Sequence, residues 1–275
     1  MSTTLNHGKK NYTRTIVGLG LLTAIVVVLQ YISMAIRFGT FSVTLALLPI
    51  VVGAAIYGVW AGAWLGFVFG VVVLLTGDAA PFWAESPLGT LITVLVKGTM
   101  SGLIAGLVYK ILPKNRSFDK LGVYISDALL IIGGIVLLIF VPKIGSNPNL
   151  EPAALEKASK FATFCNVFAW VIIALGVALL LYMIIKKPAF SMPIAVLAAA
   201  IVSPIVNTGI FLIGCNLFFY KLISSWAGDS NVVTFIFVGL VGLNFFFELA
   251  INLVLCPAIV TLVRYGEKKM TKKSA

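Results

Sequence analysis

An all-α integral membrane fold is predicted for this 275-residue chain by three observations. Hydrophobic residues make up 60% and charged residues only 11%. The mean hydropathy is +1.09. The apolar residues also collect into runs long enough to cross a bilayer, which takes about 20 residues of helix. A soluble domain is about half apolar and one quarter charged, so soluble enzymes, nucleic-acid modules and disordered chains are all excluded as classes.

Eight spans are expected: 15–35, 42–59, 61–76, 88–112, 121–142, 163–185, 189–218 and 232–263. The first resembles a signal peptide in ending on Ser33-Met34-Ala35. Its apolar stretch exceeds an ordinary signal core and more spans follow, so it reads as an uncleaved helix. The second and third are short and meet at Tyr57-Gly58-Val59-Trp60-Ala61-Gly62, where two glycines supply a turn. The loop after the fifth span carries Pro148 and Pro152, and residues 153–158 are expected to form a short surface helix there. No internal repeat or low-complexity tract is evident.

Charge then sets the orientation. The chain has 20 Lys and Arg against nine Asp and Glu, a net charge of +11. With the N-terminus inside, the cytoplasmic segments hold 14 of these 20 basic residues, and Lys97 lies within a span. Both termini are therefore expected in the cytoplasm. Orientation accounts for the basic excess, and a nucleic-acid partner is not expected.

Cys165, Cys215 and Cys256 lie far apart in or beside apolar runs, which fits small buried hydrophobes rather than a zinc site or disulfide framework. His7, the sole histidine, sits in the polar N-terminal segment. No metal site is expected. No catalytic set is visible either: G-x-x-x-x-G-K-[ST], H-E-x-x-H and G-x-S-x-G are all missing.

Ionisable groups in a span are costly and tend to face a cavity or partner. Lys97 lies about 14 Å from the outer end of the fourth span at helical rise. Glu248 falls near the middle of the last span, with Asn244 and Asn252 on the same helix face. Lys97 and Glu248 either neutralise each other or bind a ligand. Asp127, nearer the cytoplasmic end of its span, is expected to interact with the basic loop 113–120. In the seventh span Pro204 removes a backbone donor beside Asn207 and Thr208, a way to bend a helix or build a polar site. Trp83 and Trp226 lie in outer loops, where aromatic side chains anchor the interface or stack on a ligand. Gly20 and Ala24 place small residues four apart on the first span, a stripe suited to close helix contact.

Several of these segments together resemble the substrate-binding (S) component of energy-coupling factor (ECF) transporters, the bacterial vitamin importers. The resemblance runs through the first helix, Leu47–Gly58, Ala61–Phe67, Lys97–Gly106 and Pro204–Phe211, in the family's order. It implies a protein of the cell membrane that binds a water-soluble micronutrient near its outer face. It also implies docking, through the small residues Gly20 and Ala24, on a membrane scaffold protein carrying two ATPase subunits. ATP would be used by those partners, leaving this chain without cofactor or catalytic residues. Lys97, Asn207, Asn244 and Glu248 become pocket candidates, with Trp83 and Trp226 on gating loops.

The family core has six helices. The pair within 121–185 is then an inserted hairpin, and 15–112 and 189–263 form the core of a single transmembrane domain. A pocket Lys97 suits an anionic vitamin such as pantothenate or a folate, since its ammonium offsets a carboxylate in low dielectric. The competing reading is an ion-coupled secondary transporter in which Glu248 or Asp127 carries the proton or cation. A membrane-embedded enzyme or assembly factor is the third.

Overall fold

The computed structural model describes residues 3–35, 37–38, 41–42, 44–112, 116–145, 152–186, 193–228, 232, 235 and 242–271. Helix α1 spans Thr3–Ala35 and leads into a two-residue hairpin, β1 (Arg37–Phe38) and β2 (Phe41–Ser42). Then follow α2 (Leu47–Tyr57), α3 (Val59–Leu75), the short α4 (Ala80–Glu85), α5 (Pro87–Ile111), α6 (Arg116–Gly145) and α7 (Pro152–Lys186). The chain continues through α8 (Ile194–Phe218), the short α9 (Tyr220–Ala227) and α10 (Gly242–Thr271).

Each of the eight expected apolar segments overlaps a helix among the described residues, with 189–192 and most of 232–241 lying outside them. Thr13–Met34, Pro87–Ile111 and Ile194–Phe218 are long and apolar enough to cross a bilayer outright. A fourth candidate is broken: Glu248–Cys256 and Ala258–Gly266 meet at 56° across Pro257. A proline that removes a ladder hydrogen bond is the ordinary cause of such a bend. Shorter apolar helices occupy Leu47–Tyr57, Val59–Leu75, Tyr124–Ile139 and Asn166–Tyr182. Large apolar side chains face outward on most of them, Trp60, Leu75, Ile111 and Ile185 each more than 70% exposed. Such a surface is suited to lipid, which is as apolar as the side chains it meets.

Three details differ from expectation. The second helix begins at Leu47 rather than 42. Its approach is tied back to α1, where the Leu45 N–H donates to Ser33 Oγ at 3.1 Å. Residues 153–158 form the opening turns of α7 and not a separate surface helix. In the α2–α3 joint Gly58 alone makes the turn, with φ +97°, a conformation L side chains rarely adopt. Gly62 lies inside α3 and has another purpose.

That purpose is the α3–α5 crossing. Gly62, Gly66 and Gly70 recur every four residues along α3, opposite Gly98, Gly102 and Gly106 on α5. A Cβ on Gly62 would strike the Gly102 carbonyl, and one on Gly66 the Gly98 carbonyl. At Gly70 it would come within 2.9 Å of the Val94 carbonyl oxygen. Small residues on both helices let the backbones touch, a mode of association available in lipid where no hydrophobic force draws helices together.

On its other side α5 packs against α8, where the Ser101 hydroxyl lies 2.9 Å from the Ser203 carbonyl oxygen and 2.8 Å from the Ser203 hydroxyl, both groups buried. Helices α2, α8 and α10 share one apolar core around Val51, Ala199 and Ile259. Helix α7 packs along α6, and α6 packs on α10 and α8.

Candidate functional site

The position of Lys97 follows from how α5 starts. Ser86 Oγ accepts the Gly89 N–H at 3.2 Å, and Pro87 occupies the first helical position. This cap satisfies an orphan donor and fixes the helix start. Ten residues further, about 15 Å along the axis, Lys97 emerges beside the glycine crossing. Its Nζ lies 5.9 Å from the Phe69 ring centre on α3 and 5.1 Å from that of Phe211 on α8. Both distances suit cation–π attraction.

The ammonium also lies within electrostatic reach of two carboxylates, Glu248 first and Asp78 second. Glu248 is 1% exposed. Thr44 and Asn207 lie within hydrogen-bonding range of its carboxylate. Residues 44–46, outside helix, bring Thr44 close to α10. Asp78, in the turn between α3 and α4, accepts a hydrogen bond from Gln30 Nε2 of α1 at 3.0 Å. Six segments thus converge on one polar cluster.

An aromatic cap closes one end of the cluster. Phe82 of α4 is buried and meets Phe211 edge-on at 5.5 Å, Phe219 at 4.8 Å and Trp226 of α9 at 5.8 Å. Because Phe211 also faces Lys97, the cap and the polar cluster are continuous.

Of the sequence candidates, the structure brings Lys97, Asn207 and Glu248 together and places Trp226 in the cap. Trp83 is 46% exposed, and its neighbour Phe82 takes the inward position. The side chain of Asn244 lies outside the described residues. Asn252 is buried one turn below Glu248. Asp127 is buried between α6 and α7, facing Gly176, and neither carboxylate oxygen has a hydrogen-bond partner. Of the basic loop expected beside it, residues 113–115 and the side chains of Arg116 and Lys120 lie outside the described residues. Among the described residues no group of His, Cys, Asp and Glu is arranged to hold a metal ion. Gly20 and Ala24 are exposed on α1, and a Cβ on Gly20 would meet nothing within 4 Å.

Sequence reading alone passed over Gln30, Thr44, Asp78 and Phe82. Gln30 and Ser33 carried a usable signal, two polar residues within one turn of the apolar second half of α1. Thr44 carried none, since its importance lies in a partner two hundred residues away.

The sequence profile described as "ECF transporter, substrate-specific component" matches residues 14–213, most of the chain. The protein belongs to that family. No individual curated protein and no solved structure matches significantly. Membership places this ECF substrate-specific component among membrane proteins of transport, and the family is one of substrate-binding subunits rather than enzymes. The matched stretch includes α5 and most of α8, hence Lys97, Asn207 and Phe211.

Proposed function

We propose that this chain is the substrate-capturing subunit of an ATP-driven importer, taking a water-soluble vitamin or related micronutrient from outside the bacterial cell membrane. The cargo would sit between the aromatic cap of Phe82, Phe211 and Trp226 and the polar cluster of Lys97, Asn207 and Glu248. Charge distribution supports an orientation with both termini in the cytoplasm, and the helix order supports eight crossings with α6 and α7 as an inserted pair. Gly20 and Ala24 would face the transmembrane scaffold, which carries two ATPase subunits; this chain supplies no cofactor.

One observation carries the assignment of the site. The side-chain oxygens of Asn207 and Gln30, the Thr93 hydroxyl and the Asn252 amide nitrogen are buried and have no hydrogen-bond partner. Buried polar atoms are nearly always satisfied, so several open ones around Lys97 and Glu248 support a place for a guest. Protein extracted in detergent, denatured and analysed by mass spectrometry is expected to release a stoichiometric small molecule. Empty protein that binds nothing from a vitamin panel, together with gradient-driven uptake by the chain alone in liposomes, would overturn the proposal.

The cap supplies a second check. Phe82→Ala removes three ring contacts, each worth about 0.5–1.5 kcal/mol beyond area. Dissociation of the bound molecule is expected to accelerate by about tenfold or more, measured by chase with unlabelled ligand.

A further inference from the structure

Helix α5 carries four serine and threonine residues, and the hydroxyls of three are accounted for. Thr90 Oγ1 donates to the Ser86 carbonyl at 2.9 Å and Thr99 Oγ1 to the Leu95 carbonyl at 2.7 Å, each four residues back. Ser101 is joined to Ser203 of α8. Thr93 differs. It is 3% exposed, and its hydroxyl has no hydrogen-bond partner, on its own helix or across the interface. An unpaired buried hydroxyl is costly. The carbonyl four residues back is the ordinary remedy for a threonine inside a helix, and Thr93 forgoes it.

Its surroundings show what it faces. Thr93 precedes Lys97 by four residues, so the two share one face of α5, about 6 Å apart along the axis. Helix α8 runs antiparallel beside them, with Phe211 next to Lys97 and Gly214 next to Thr93. Gly214 is what admits the threonine, since a Cβ there would collide with Thr93 Cγ2 and Oγ1. The following residue, Cys215, packs into the buried group of Phe82 and Phe219. Thr93 therefore stands between the Lys97 cluster and the aromatic cap, at the level assigned above to the cargo.

We infer that the Thr93 hydroxyl is a specificity-determining contact that hydrogen-bonds an uncharged polar group of the cargo, a ring nitrogen, carbonyl or hydroxyl. This inference rests on the proposed site and adds a residue to it. A hydroxyl both donates and accepts, so it fixes where that group lies and leaves the charge of the cargo open.

The test uses full-length protein in detergent, freed of bound molecules by dialysis. The probes are riboflavin, thiamine, biotin, pantothenate and folate, with any compound that the parent releases on denaturation. Thr93→Val keeps the side-chain shape and removes the hydroxyl. Affinity for the probe that binds the parent is expected to fall about tenfold, while the unliganded variant melts at or above the parental temperature. Losing an unpaired hydroxyl relieves the empty protein and deprives the complex, so the two readouts part. A packing role would not part them. Thr93→Ser keeps the hydroxyl, and Thr90→Val loses one already bonded to its own helix; both are expected to bind like the parent.

Parental affinity in Thr93→Val would overturn the contact and leave the site standing. A joint fall of affinity and of the unliganded melting temperature would overturn it too, because that marks a packing residue. If the parent binds no probe and releases nothing on denaturation, the site and the contact fall together.

Discussion

Gly66→Val is expected to leave no folded, monodisperse protein on extraction. The Cβ of any residue at 66 would collide with the Gly98 carbonyl and lie 3.2 Å from Thr99 Cα, both backbone. A flexible side chain yields to such a clash, but a helix backbone does not. Nor can α3 slide to relieve it, because Gly62 against Gly102 above and Gly70 against Val94 below hold it at the same spacing. Valine adds two methyls to that collision, so the cost should exceed the roughly 1–3 kcal/mol of ordinary overpacking. Since natural proteins are stable by only about 5–15 kcal/mol, the crossing should open. Lys97 precedes Gly98 directly, so any separation of α3 from α5 also displaces the ammonium from Phe69. Size-exclusion chromatography and thermal melting in detergent are the measurements, with Gly209→Ala as the control because a Cβ there meets nothing within 4 Å. A Gly66→Val protein that melts and binds like the parent would show that the two helices do not make backbone contact.

The helices were legible in the residues because lipid imposes a simple demand, uninterrupted apolar length, which the sequence states outright. The glycine spacing on α3 and α5 was equally visible, but which helix faces which is a property of the assembled bundle. The errors fell where an apolar stretch serves as something other than helix. Residues 44–46 look like part of a span, yet they lie outside helix, where the Leu45 N–H reaches Ser33 and Thr44 comes near Glu248. The inward members of the site announced themselves as polar residues in apolar runs: Lys97, Asn207 and Glu248. The choice between Phe82 and Trp83 was beyond sequence reasoning, since neighbours on a helix differ by about 100° in direction and both are large aromatics.

Gly20→Trp is expected to separate binding from transport. Helix α1 has two distinct faces. One is held by the chain itself: Val26, Gln30 and Ser33 are buried, and the Thr23 hydroxyl accepts the Trp64 indole N–H at 3.2 Å. The other presents Val17, Leu21 and Val28, each more than half exposed, around Gly20 and Ala24. A tryptophan at 20 therefore projects into open space, and melting temperature and ligand affinity should match the parent. Against lipid it would be harmless, because acyl chains flow around it. Against a helix of the scaffold it would be prohibitive, since close backbone approach at small residues is what gives such an interface its dispersion energy. Co-purification with the scaffold and ATPase subunits should be lost, and cellular uptake should fall by about 30-fold or more, as expected if a few kcal/mol of association energy disappears. Parental uptake in Gly20→Trp would mean that this face of α1 meets only lipid. The docking surface would then have to be sought among the other exposed apolar helices, beginning with α7, whose Val167, Trp170 and Val171 are each 58% exposed.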